Sequence, residues 1–179
     1  MSIKKLNILT LDTETIGLEG HIYDIGWAIH DKKGNIQEVK NFLIREIITD
    51  GKKMCGAYFS KKVFTDYIPM LDENKISLIS WEEMTKIFLT DLVEYDVDII
   101  AAYNLGFDSR ALTVTNELLT GGKRFLQNKI NLLCIWNFAC QTLLRQKTYQ
   151  NMAEQHDWKS EAGNIRTTAE HAFRYITMQ

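Results

Sequence analysis

The stretch LDTETIGL, residues 11–18, ends a short apolar run, NILTL (7–11), on two acids and a Gly-Leu turn. Side chains on a strand alternate faces, so Asp12 and Glu14 point the same way, about 7 Å apart. Two carboxylates at a strand end either sit in water at the sheet's edge or hold something positive. Hard divalent cations accept such oxygen ligands, and Mg²⁺ typically uses only one or two carboxylates with water and substrate phosphate. The plain alternative is a solvated strand terminus.

Working outward, residues 6–13, 22–30 and 36–44 read as three short β-branched strands, with DKKGN (31–35) as the turn between the last two. Ser80 and Glu83 have capping-box spacing, and Met84, Ile87, Phe88, Leu92 and Tyr95 follow at helical intervals. VDIIAA (97–102) reads as a buried strand and 108–119 as a helix. TGGK breaks the chain before INLLCIW (130–136), a fifth strand passing into a helix near 137–144. Residues 148–157 read as helical. Thr167 with Glu170 is expected to cap a last helix carrying Ala169, Phe173 and Ile176. Residues 45–79, with the only proline, Pro69, give no clear pattern. The order βββαβαβα implies an α/β fold, a five-stranded mixed sheet flanked by helices, antiparallel at first and parallel after the crossover helix.

Composition bounds the function. The 179 residues suit one domain, 1–179, with room for a sizeable core. A hydrophobic share of 45% and a charged share of 25% are those of an ordinary globular chain. A net charge of −2 announces no global basic field, although an enzyme that meets phosphates through metal ions needs none. Cys55, Cys134 and Cys140 show no paired spacing and read as reduced thiols, so a cytoplasmic location is expected. No run has the length of a membrane span, and the start of the first strand leaves no room for a signal peptide.

A second constellation sharpens the first. AAYNLGFDSRAL (101–112) places Asn104, Phe107 and Asp108 just after the fourth strand, where a helix begins. Asp108 stands where an N-cap would, which is its simplest role; that role leaves Asn104 and Phe107 unexplained. If strands one and four are neighbours, Asp12, Glu14 and Asp108 converge, and three carboxylates in one cleft repel unless a cation neutralises them.

D-x-E-T-x-G-L followed by N-x-x-F-D resembles the first two motifs of the DEDD exonucleases, the proofreading-type 3′–5′ exonuclease superfamily with a ribonuclease H-like fold. The resemblance runs along the whole chain. It is closest to phage-encoded members, in which a stretch like GNIRTTAEHAFRY (163–175) occurs late. It implies Mg²⁺ or Mn²⁺ as cofactor, with two ions in a complete site. Asp12 would bridge them, Glu14 would bind the ion that activates water, and Asp108 would support the second. Thr15, Gly17 and Leu18 would line the terminal nucleotide, Phe107 would pack on its base or sugar, and Asn104 would fix the loop. For Leu18 and Phe107, core packing is an equal alternative. Implied partners are 3′ ends of DNA, or of RNA, together with replication or repair proteins. The implied location is the bacterial host cytoplasm if the chain is phage-encoded.

The family's third motif, His-x4-Asp, supplies the general base and a fourth carboxylate, and it is missing here. His21, His30 and His171 are followed five residues later by Gly26, Asn35 and Ile176, and His156 by Glu161. The expectation is a domain without its C-terminal His/Asp-bearing helix, weak or inactive by itself. An inactive nucleic-acid-binding relative is the alternative. Recruitment of His156 or His171 as base is the least favoured. Lys52, Lys53, Lys61 and Lys62 either form solvated faces or border a DNA path. A binding module built on a structural ion is a rival class, but calcium-loop spacing and a Cys/His zinc set are both absent. No phosphate-binding glycine loop, dinucleotide fingerprint or nucleophile elbow occurs.

Overall fold

The computed structural model describes residues 6–18, 20–57, 60–122, 124–126 and 130–178. Lys4 and Lys5 of the opening KKL stretch and Lys123 of TGGK lie outside them. Three long strands come first: β1 (Asn7–Thr15), β2 (Ile22–Asp31) and β3 (Ile36–Ile44). Two one-turn helices, α1 (Arg45–Ile48) and α2 (Gly51–Met54), lead to a π-helical turn at Val63–Tyr67, α3 (Ile68–Asp72) and a short strand β4 (Ser77–Ile79). Next come α4 (Trp81–Glu94), β5 (Val97–Ala102), α5 (Leu105–Thr120) and β6 (Asn131–Cys134). The chain closes with α6 (Ile135–Thr142), a 3₁₀ turn (Leu143–Arg145), α7 (Lys147–Gln155) and α8 (Ala169–Thr177).

The sheet has the order β4-β3-β2-β1-β5-β6. β1, β2 and β3 pair antiparallel, and β5 then joins β1 in parallel, with β6 parallel beside it. The α/β, ribonuclease H-like layout is therefore present, and strand one does neighbour the strand at 97–102. The strand count is six rather than five. The addition is β4, three residues paired in parallel with the end of β3, too short to give a periodic signal.

Ser80 caps α4 as expected, its hydroxyl accepting the Glu83 N–H at 3.1 Å. The face of the sheet carrying Leu9, Leu11, Ile25, Trp27 and Ile29 is buried in the main core. Trp27 packs edge-on against Phe88 of α4 at 5.3 Å. Asp91 of α4 is buried but satisfied: Trp27 Nε1 donates to it at 2.9 Å and Lys40 Nζ pairs with it at 2.6 Å. Burial of a carboxylate is tolerated only with such partners. A second, smaller core gathers Ala139, Leu143, Tyr149, Ala153, Trp158, Ala172 and Tyr175. Among the described residues, no helix is long and apolar enough to cross a membrane.

Candidate functional site

The alternate face of the antiparallel strands lines a cavity of about 370 Å³ whose walls include Asp12, Glu14, Asp24, Gly26 and Asn41. Asp12 lies opposite Gly26, which brings no side chain of its own against it, and Glu14 lies opposite Asp24. Like charges directly across a ladder destabilise it. Here two groups from the segment after α2 offset that repulsion. Lys62 Nζ pairs with Glu14 Oε1 at 2.7 Å, and the Tyr67 hydroxyl donates to Asp24 Oδ2 at 2.6 Å. Asp24 was not among the expected site residues, and Lys62 was expected only on a solvated face or at the border of a DNA path. Asp24 hides within an alternating apolar strand, and Lys62 lies in the segment without pattern.

The ladder slips at the end of β1. Thr15 pairs with Ile22, leaving Tyr23 as an extra residue. Bulges of this kind re-aim side chains next to functional sites. The Tyr23 ring packs edge-on against Tyr67, and its buried hydroxyl has no hydrogen-bond partner among the described residues.

Electrostatics join these acids. Asp12 is open to solvent at the cavity mouth, yet the surrounding protein strips enough water to raise its pKa; the Glu14 charge raises it further, while the Thr13 N–H and Lys62 oppose. Asp24 is lifted to about 6 chiefly by burial, with Glu14 and Asp12 adding and Tyr67 and Lys62 opposing. Asp108 is also lifted to about 6 by burial; the Thr13 hydroxyl opposes, and the Asp12 charge adds.

Asp108 is not an N-cap. α5 starts three residues earlier, at Leu105 after Asn104, so Asp108 falls in its first turn. It is only 4% exposed and accepts the Thr13 hydroxyl at 2.8 Å. The Thr13 main-chain N–H lowers the pKa of both Asp12 and Asp108. Even so, among the described residues no three His, Cys, Asp or Glu side chains are gathered as a ready metal-binding group. Glu14 is turned to Lys62 and Asp108 to Thr13, as repelling carboxylates with other partners nearby would be. Asp12, Glu14 and Asp108 are thus electrostatically connected rather than closed into a chelate.

The other expected residues divide. Thr15 is buried, and its hydroxyl donates to the Gly17 carbonyl at 2.6 Å, closing the turn in which Gly17 takes φ +70°. Leu18 stands out at 81% exposure. Arg110, which sequence reasoning passed over, donates to the Leu18 carbonyl at 2.9 Å and lies 5.9 Å from the Phe107 ring centre. It thereby brings Leu18 and Phe107 to one side of α5. Asn104 is exposed, and its side chain does not cap the helix. His156 and His171 both pack on Trp158 of the second core, at 5.5 and 5.0 Å between ring centres. Neither is among the charges felt by Asp12 or Asp108.

The late motif also shifts by one residue. Thr168, not Thr167, caps α8. Thr167 is buried, its hydroxyl accepts Trp136 Nε1 at 3.1 Å, and its carbonyl accepts the Tyr103 hydroxyl. Tyr103 directly precedes Asn104, so GNIRTTAE fastens the second core to the loop that launches α5.

No protein-family model matches the chain, and no curated protein is matched by it. Among solved structures, the chain is similar to "Exonuclease X in complex with 5' overhanging duplex DNA". The identity is 15%, covering 95% of this chain and 86% of that one, with a TM-score of 0.42.

Proposed function

We propose that the chain is a metal-dependent 3′→5′ exonuclease domain acting on phosphodiester bonds, with single-stranded DNA favoured over RNA as substrate. The observation that carries the reading is the charge coupling of Asp12 to both Glu14 and Asp108, with Asp12 and Glu14 on the wall of one cavity and Asp108 held against β1 by the Thr13 hydroxyl. The donor set is all oxygen, which suits Mg²⁺ or Mn²⁺, and Glu14 already holds a cationic group, the Lys62 ammonium. Asp12, Glu14 and Asp108 are the residues that would hold the metal. Bound there, two ions would stabilise the attacking and leaving oxygens of an in-line displacement at phosphorus.

The rest falls to the chain's own side chains. Thr13 holds Asp108 against β1. Leu18 and Phe107, linked through Arg110, offer an apolar wall to a terminal nucleotide. The pair of His and Asp that the resemblance calls for is missing from residues 1–179, and a general base typically contributes about 10²–10⁴-fold. Residues 1–179 are therefore expected to turn over weakly.

The test is release of mononucleotides from a 3′-terminated single strand with Mn²⁺, with and without chelator, against Asp12→Ala. Chelator-sensitive release that Asp12→Ala abolishes supports the reading. Metal-dependent binding of the strand without release selects the alternative, an inactive nucleic-acid-binding relative. Neither binding nor release sinks both.

A further inference from the structure

A second cavity, of about 400 Å³, opens beside Asn104; it shares no lining residue with the cavity of Asp12 and Glu14 and belongs to no role assigned above. Its walls include Asn104, Trp136, Ser160, Asn164, Arg166 and Thr168. Asn104 accepts the N–H groups of Phe107 and Asp108 through its carbonyl, so the cavity adjoins the turn that carries Asp108.

Three features of this cavity point to one ligand chemistry. Trp136 remains 43% exposed although it is fastened at two points, its main-chain N–H to the Tyr103 carbonyl at 2.8 Å and its Nε1 to Thr167. A large aromatic ring held in place and still accessible is a stacking platform that loses little freedom on binding. Arg166 is exposed, and its guanidinium takes no ion pair among the described residues. Ser160, Asn164 and Thr168 add hydroxyl and amide groups able to donate and to accept. A base face, a phosphate charge and sugar or base-edge hydrogen bonds together match a nucleotide unit.

We propose that this cavity is a subsite for one nucleotide of a single-stranded DNA, its base on Trp136 and its phosphate at Arg166. The subsite rests on the exonuclease reading for its place in the reaction: it receives a nucleotide internal to the strand while the 3′ end lies at the carboxylates. It accounts for GNIRTTAE as well, because Asn164, Arg166 and Thr168 line the cavity while Thr167, between them, fastens Trp136 and Tyr103.

The experiment measures binding of a fluorescent ten-residue oligothymidylate in EDTA, by anisotropy, with wild type, Trp136→Leu, Trp136→Phe and Arg166→Gln. Trp136→Leu and Arg166→Gln are each expected to weaken binding about tenfold, and Trp136→Phe is expected to stay within about threefold. Arg166→Gln should also reduce the slope of log affinity against log salt by about one contact's worth. Arg166 is an exposed residue, so its variant tests the subsite even if a Trp136 variant misfolds. Wild-type affinity in both Trp136→Leu and Arg166→Gln overturns the subsite, while Asp12-dependent release of mononucleotides would still stand. Equal binding of a ten-residue poly-glutamate control also overturns it.

Discussion

The Thr13 hydroxyl donates to Asp108 Oδ1 at 2.8 Å, joining residues 95 positions apart. One neighbour along β1, Asp12 faces the opposite side of the strand, yet the Thr13 N–H acts on both carboxyls. Thr13 is therefore the hinge of the acidic group. Thr13→Val keeps the shape and removes the donor. It should destabilise the fold by about 1–3 kcal/mol, the cost of leaving a buried acceptor unsatisfied. Chemical denaturation checks this, and a midpoint equal to wild type would deny Thr13 that role.

Asp12→Ala and Glu14→Ala should each lower metal-dependent release of mononucleotides by several orders of magnitude with circular dichroism unchanged. The two losses should not add if, as proposed, the acids act within one metal unit. A rate near that of the unsubstituted chain in either variant would remove that residue from the site.

On the proposed reading, a divalent cation would compete for Glu14 with Lys62, which holds it at 2.7 Å. Lys62→Met should tighten Mn²⁺ binding several-fold while lowering stability without metal, because the facing Glu14 and Asp24 lose a shared positive neighbour. Calorimetric titration with Mn²⁺ reads the first effect and thermal unfolding in EDTA the second. Weaker Mn²⁺ binding in the variant would mean that Lys62 organises Glu14 for the ion instead.

Stability should depend on pH through Asp24 and Asp108. Folded, both lose their protons near pH 6; unfolded, near the ordinary value of 3.8. Between those limits the folded state binds more protons, so stability falls as pH rises from about 4 to about 6 and stays low beyond. Each group contributes on the order of 2 kcal/mol to that fall. Asp31 and Asp50, whose pKa values are lowered by hydrogen bonds, act in the other direction and lose their contribution as pH drops below about 4. Thermal melts in EDTA should therefore peak at about pH 4 and decline toward about pH 6, and a monotonic rise to pH 7 would contradict this.

His156→Ala and His171→Ala should leave any nuclease rate unchanged and cost about 0.5–1.5 kcal/mol each through lost ring contact with Trp158. A large fall in rate with stability retained would restore one of them as a base.

Much of this was legible from residue patterns. The long strands alternate clearly, and Asp12 and Glu14 mark their own end of β1. That β1 adjoins β5 entered only as the condition for the three acids to converge, and the parallel pairing of the two strands meets it. What stayed hidden depends on contacts across the chain. Asp24 becomes part of the site only through its register with Glu14 and the bulge beyond. Arg110 stands in plain view two residues after Asp108, but its partner is a backbone carbonyl at Leu18. Taking Asp108 as the N-cap starts α5 too late, because the observed cap position, Asn104, makes no side-chain cap bond. In sequence the spacing to Glu170 favours Thr167 as the cap, whereas the structure gives the cap to Thr168. Burial of the first against Trp136 decides between them.

The two separate apolar clusters give the molecule two melting units of unequal depth. The smaller, around Tyr149, Trp158 and Tyr175, can open without breaking the six-stranded ladder, as sub-global exchange units do. When it opens, Tyr103 and Trp136 lose Thr167 together. Backbone amides between Tyr149 and Tyr175 should then trade hydrogen for deuterium sooner than those of β1 and β2. The loop before α5 would loosen in step with them, while Asp12 and Glu14 stay seated on an intact strand.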